Sequence, residues 1–162
     1  MSEETSLAVG KRGAIQNRRS KAGTKHPDKN VPICSVEDIV EARKHGRALA
    51  VEIGFAGPDL TLVATAISEV ARNIVDHAKR GEIRLAPAHQ GRKRGILIVA
   101  SDHGPGIPEI NLAMQYGYST NHGLGVGLPG ARWLMDDFEI DSTTGKGTTV
   151  TMKKWLPQNQ SR

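Results

Sequence analysis

Glu69 and Asn73 stand four residues apart, one helical turn, within an apolar-patterned stretch running from about Leu60 to Lys79. A carboxylate and an amide oxygen so placed can share a hard cation and its waters. Mg²⁺ takes oxygen ligands and binds few protein groups besides substrate phosphates. The carboxylate can equally accept a proton from an attacking hydroxyl. On its own the pair is more simply a solvated helix face. A second candidate is Asp102-His103-Gly104-Pro105-Gly106, at the end of an apolar run. Asp102 can accept a hydrogen bond from an exocyclic amine, while Gly104 and Gly106 let a flat ring approach the backbone. The same run also reads as an ordinary tight turn. A third is Gly123-Leu124-Gly125-Val126-Gly127-Leu128. Alternating glycines ahead of a helix present backbone N–H groups to an anion. The spacing is not the dinucleotide-binding fingerprint, and no Walker lysine follows. A glycine-rich hinge is the plainer alternative, but the helix start directly after it favours the anion site.

These residues need elements to hold them. The long helix is the clearest: Leu62, Val63, Ala66, Ile67, Val70, Ala71, Ile74, Val75 and Ala78 recur at helical spacing. At 100° per residue Glu69, Asn73 and His77 line one flank of that stripe. Before it, Val31–Cys34 reads as a short strand. Ser35 reads as an N-cap for a helix from about Val36 to Ile53 that ends at Gly54. Asp59 is placed to cap the long helix. Glu82–Leu85 alternates as a strand, and Ile96–Ala100 is a continuous apolar run suited to a central strand. Residues 109–124 show little periodicity and read as a loop. A helix is expected from about Gly125 to Asp136. Phe138–Asp141 and Thr148–Trp155 follow as a hairpin around Thr144-Gly145-Lys146-Gly147. The pattern predicts an α/β chain, an α+β two-layer sandwich with helices on one face of a mixed or antiparallel sheet.

The net charge of the 162 residues is +5. The first thirty residues hold seven Lys/Arg against three acids, so +4 of it lies there. They carry few large apolar side chains and are expected to be a disordered basic tail. Residues 157–162 are expected to be a C-terminal tail. A solubilising extension is the favoured reading of residues 1–30, and a polyanion-binding arm the lesser one. The near-neutral remainder makes nucleic acid an unlikely partner. No apolar stretch reaches membrane-spanning length and no signal-peptide core is present, which predicts a cytoplasmic chain away from membranes. The single cysteine, Cys34, excludes an internal disulfide and a multi-cysteine metal site. Cys34 itself is expected to be a small buried apolar residue. Trp133 and Trp155 are expected to pack, Arg72 to point outward, His77 to pack or cap, and His122 to face solvent.

In this order, the three glycine- and acid-bearing segments resemble the N, G1 and G2 boxes of the GHKL ATPase/kinase superfamily, with its Bergerat ATP-binding fold. Gly145-Lys146-Gly147-Thr148 resembles the further Gly-Thr box at the last hairpin. The resemblance spans about residues 31–156. Within the superfamily, Ile67–Ile74, Gly117-Tyr118-Ser119-Thr120, Gly127–Arg132 and Gly147–Val150 are similar to the small bacterial serine/threonine switch kinases of the RsbT type.

That resemblance implies the following roles. ATP and Mg²⁺ are the cofactors, with Asn73 ligating the metal. Glu69 is the catalytic base for a substrate Ser or Thr hydroxyl. Asp102 takes the adenine amino group, with Gly104 and Gly106 beside the ring and Thr148 reaching adenine directly or through water. Gly123, Gly125, Gly127 and Leu128 cradle the phosphates. The implied substrate is a STAS-domain antagonist, and a PP2C-type phosphatase is the second partner, with a stressosome-like assembly around them. An anti-sigma factor kinase that sequesters a sigma factor is the nearest alternative. A non-catalytic ATP-dependent binding module is the one from a different class.

Overall fold

The computed structural model of the chain describes residues 6–7, 28–115 and 127–158. Its frame is a six-stranded sheet in the order β1-β5-β6-β4-β3-β2. The strands are β1 (Ser6–Leu7), β2 (Lys29–Ile33), β3 (Gly81–Gln90), β4 (Lys93–Asp102), β5 (Asp137–Thr143) and β6 (Gly147–Trp155). Every neighbouring pair is antiparallel, which resolves the choice between a mixed and an antiparallel sheet. The helices are α1 (Val36–Ile53), α2 (Pro58–Asn73), α3 (Ile110–Ala113) and α4 (Gly127–Leu134).

Period-two burial sets the inner face. Ile96, Ile98 and Ala100 of β4 and Val150 and Met152 of β6 are buried, with half-buried residues between them. Ile33, Ile83, Leu85, Phe138 and Ile140 extend that face, and the apolar stripes of α1 and α2 close over it. At 0.8 kcal/mol per buried CH₂ or so, this aliphatic layer is the main stabilising term. Gly46 lets α1 and α2 meet closely: a Cβ there would stand 2.1 Å from Ile67 Cδ1. Among the described residues β2 pairs with β3 only over Gly81–Leu85, so Pro87 lies beyond that pairing.

Helix ends follow local chemistry with two changes. Ser35 caps α1 in a capping box with Asp38, and Gly54 (φ 124°) ends it, as expected. The N-cap of α2 is Gly57, with Pro58 at the first position, so Asp59 lies in the first turn instead of at the cap. The long helix stops being α-helical at Asn73 and continues as a π-turn over Ile74–Ala78. Lys79 then takes φ 72°, the one positive φ outside glycine among the described residues. The π-turn winds more residues per turn. His77 falls within that π-turn and is exposed.

Two apolar expectations fail. Cys34 is exposed, with Sγ 3.2 Å from Asp38 Oδ2. Trp133 is 80% exposed on the outer side of α4. In each case residue type alone suggested burial, and the helix or strand end on which the residue falls points it outward. The basic segment 1–30 lies mostly outside the described residues. Its described parts, Ser6–Leu7 and Lys29–Asn30, pair with β5 and β3. The stretch 109–124 contains the short α3, and its residues from 116 onward lie outside the described ones.

Candidate functional site

Glu69 lies on α2 where α4 packs against it. Its Oε2 accepts the backbone N–H of Gly127, the first residue of α4, at 3.0 Å. A carboxylate at a helix N-terminus satisfies an orphan donor and meets the positive end of the helix dipole. The half-buried Asn73 follows one turn later. Its side chain makes no hydrogen bond to another described residue, so its amide oxygen is available. No group of three or more His, Cys, Asp or Glu among the described residues could cage a metal ion. That donor set fits Mg²⁺, which leans on one or two protein oxygens and on phosphates. It does not fit a metal held by protein alone.

The Asp102 turn is built against the same helix. Gly104 comes so close to the π-turn that a Cβ on it would stand 2.6 Å from Ala78 Cβ. Asp102 closes β4, and its Oδ1 accepts Gly104 N–H at 2.9 Å and Thr148 N–H at 3.3 Å. Its Oδ2 has no partner among the described residues, leaving one carboxylate oxygen for an outside donor. Gly147 (φ 124°) passes directly under this turn, where a Cβ would meet Asp102 O at 2.0 Å. Gly106 (φ 76°) is packed in the same way on Thr143 O, and Gly145 N–H donates to Pro105 O at 2.8 Å. The G1-like turn and the last hairpin are thus locked into one unit.

Thr148 is buried, and its Oγ1 stands 2.8 Å from Ser142 Oγ. Ser142 also accepts Ile107 N–H at 2.8 Å and reaches Gly147 O at 3.3 Å. Thr148 therefore meets Asp102 through its backbone, and its hydroxyl hydrogen-bonds Ser142 inside the hairpin. Ser142 was not anticipated as part of the site. The available signal was its phase: Phe138, Ile140 and Ser142 share one face of β5, so a hydroxyl falls at a core position. Lys154 was also missed. It is buried on the inner face of β6, with Nζ 3.1 Å from Leu134 O at the end of α4.

The structure thus sets Glu69 and Asn73 on α2, with Gly127 of α4 bonded to Glu69, and packs the Asp102 turn by Gly104 on the π-turn and by Gly106 and Asp102 on the hairpin that carries Thr148. Leu128 is buried in the core under α4. Gly123, Gly125 and the segment Gly117–Thr120 lie outside the described residues. A separate groove of about 1120 Å³ opens at the other end of α4, beside Trp133, Asp136, Lys154 and Trp155. Glu69 and Asn73 are not among the residues that line it. No helix among the described residues is long and apolar enough to cross a membrane.

Known proteins match along most of the chain. The profile of the histidine kinase-like ATPase domain matches residues 34–154. The chain is 47% identical over 126 residues to the serine/threonine-protein kinase RsbT of Bacillus subtilis (strain 168), covering 78% of this chain and 95% of that protein. It is 33% identical over 121 residues to the anti-sigma F factor of Thermoanaerobacter sp. (strain X514), covering 71% and 83%. Among solved structures it is similar to the mycobacterial sensor histidine kinase MprB, with a TM-score of 0.49 at 19% identity over 76% of this chain and 95% of that one. With the profile spanning the segment that carries Glu69, Asn73, Asp102 and Thr148, and the RsbT match covering most of the chain, the chain belongs to the histidine kinase-like ATPase domain family.

Proposed function

We propose that this chain is an ATP-dependent protein serine/threonine kinase of the RsbT type. The observation that carries the reading is the Glu69 carboxylate at the first amide of α4, one turn before the available Asn73 amide. A nucleotide-binding module needs no base at that place; a kinase does. The 47% identity to a protein named as a serine/threonine kinase supports the same choice.

In this reading Asp102 accepts the adenine amino group on its spare Oδ2, beside the ring faces opened by Gly104 and Gly106. Thr148 holds Asp102 in place through its backbone N–H. Gly127 and Leu128 begin the helix at the phosphates, with Gly123 and Gly125 preceding them. Asn73 would hold Mg²⁺, which when bound neutralises phosphate charge. Glu69 takes the proton of the substrate hydroxyl. Phosphoryl transfer asks mainly for such positioning and charge neutralisation. The substrate is a STAS-domain antagonist. Once released from it, the kinase activates a PP2C-type phosphatase, within a stressosome-like assembly.

The test mixes the purified chain with ATP, Mg²⁺ and a STAS-domain protein encoded beside it, and measures phosphate on Ser or Thr. Transfer is expected. ATP binding without transfer would replace the kinase with a binding module. The match to an anti-sigma F factor supports a second reading, a kinase that sequesters a sigma factor. Pull-downs with sigma factor and with phosphatase separate the two.

A further inference from the structure

The helix α4, though expected from its position, has low intrinsic helix propensity. Its eight residues include two glycines and a proline, and two turns do not sustain themselves in water. Leu128–Ala131 are buried, while Arg132 and Trp133 face solvent. Its two ends are held by opposite charges. Glu69 accepts Gly127 N–H at the positive end of the dipole, and Lys154 Nζ donates to Leu134 O, 3.1 Å away, at the negative end. Lys154 is only 9% exposed, and Asp136 Oδ1, 3.9 Å from Nζ, is its one ion-pair partner among the described residues. A buried ammonium is costly unless it is paired and hydrogen-bonded. Lys154 stands outside every segment that resembles a nucleotide-binding box. It shares the inner face of β6 with Thr148, so one strand serves Asp102 at one end and α4 at the other.

We propose that Lys154 is a positioning residue for phosphoryl transfer: by holding the last carbonyl of α4 it fixes the helix so that Gly127 N–H meets the Glu69 carboxylate. The proposal rests on the kinase reading of Glu69. Eight residues span about 12 Å, so Lys154 acts on Glu69 through the helix and not by contact.

Lys154→Met keeps the apolar stem and removes the donor, and Lys154→Arg restores a cation. Hydrogen exchange at the Gly127 amide is read against the β4 amides, with and without Glu69→Ala. In Lys154→Met, Gly127 exchange is expected to rise at least tenfold more than exchange at β4, with at least half of the protection returning in Lys154→Arg. In the Glu69→Ala background the Lys154→Met increment is expected to shrink at least threefold, because the amide has already lost its acceptor. Independent sites would instead add. The kcat for phosphotransfer is expected to fall at least tenfold in Lys154→Met and to recover to within threefold in Lys154→Arg. Gly127 exchange that merely tracks β4, or full additivity with Glu69→Ala, would overturn the proposal. Should Lys154→Met not fold, Lys154→Leu, which also lacks a donor, carries the same comparison. A wild-type chain that binds no ADP–Mg²⁺ by calorimetry defeats the kinase reading instead, whatever the exchange data show.

Discussion

Glu69 Oε2 and the backbone N of Gly127 are 3.0 Å apart, a hydrogen bond that joins α2 to the first residue of α4 across 58 positions of sequence. One carboxylate therefore both caps a helix and stands at the end of that helix which the proposed function gives to the phosphates. The two roles separate under substitution. Glu69→Ala is expected to cut phosphotransfer by about 10²–10⁴-fold, the usual worth of a general base. It is also expected to cost about 1 kcal/mol of stability through the lost cap. Glu69→Gln keeps an acceptor oxygen, so it should recover most of the melting temperature without recovering transfer. Radiolabel transfer and thermal melts check this. A Gln variant with wild-type turnover would remove the base from the mechanism.

Asp102 is expected to govern the choice of base. Its Oδ1 is occupied by Gly104 N–H and Thr148 N–H, so only Oδ2 is left for a ligand donor. Guanine offers a carbonyl where adenine offers an amine, and a carboxylate repels it. Wild-type protein should therefore bind ATP well and GTP poorly by calorimetry. Asp102→Ala should weaken ATP by roughly tenfold to a hundredfold, as expected for a hydrogen bond to a charged group. GTP should change little. Equal weakening of both nucleotides would mean that Asp102 only builds the turn.

The α2 stripe and the β4 run were legible because burial leaves a direct imprint on periodicity. Glu69 and Asn73 could be placed from that alone. The π-turn was not legible: Ile74, Val75 and Ala78 continue the helical spacing, so nothing local marks the change. Tertiary contacts accompany it, since a Cβ on Gly81 would meet Ile74 Cγ2 at 2.9 Å and one on Gly104 would meet Ala78. Ser142 and Lys154 were legible in phase and overlooked, because polar residues in strands are usually read as outward. Cys34 and Trp133 show the reverse error, in which an apolar type was taken as buried although its position faces solvent.

Gly147 and Gly145 flank the same turn and should respond differently to alanine. Both have positive φ, 124° and 81°. A Cβ on Gly145 meets nothing within 4 Å, so Gly145→Ala carries backbone strain alone, about 1 kcal/mol. A Cβ on Gly147 would lie 2.0 Å from Asp102 O, and neither backbone segment can yield without breaking the Asp102–Thr148 contact. Gly147→Ala should cost roughly 3 kcal/mol or more, in the range reserved for overpacking with strain. It should also weaken ATP binding, whereas Gly145→Ala should not. Denaturant melts and calorimetry on the pair check this. Equal losses would show that the hairpin and the Asp102 turn are not locked together.

The start of α1 carries a pH dependence of its own. Asp38 Oδ2 accepts the Cys34 N–H at 2.9 Å, the Cys34 thiol at 3.2 Å and the Ser35 N–H at 3.1 Å. The backbone N–H of Cys34, first among these, holds the Asp38 carboxyl below the ordinary value of 3.8. A lowered carboxyl contributes stability above its unfolded value, and that stability is lost as pH falls through the folded one. The thiol moves the other way: its hydrogen bond to Asp38, and then the carboxylate charge, push it above the ordinary 9.0. The folded state thus favours the protonated thiol, a preference present below the unfolded value and lost as pH rises through the folded one. Cys34 is exposed, so its reactivity reports this directly. Alkylation by iodoacetamide at about pH 8 should run slower than for a free peptide thiol, because only the thiolate reacts. Asp38→Asn removes the charge and should accelerate the reaction severalfold, while weakening the cap of α1. Unchanged alkylation in Asp38→Asn would show that the contact does not hold the proton.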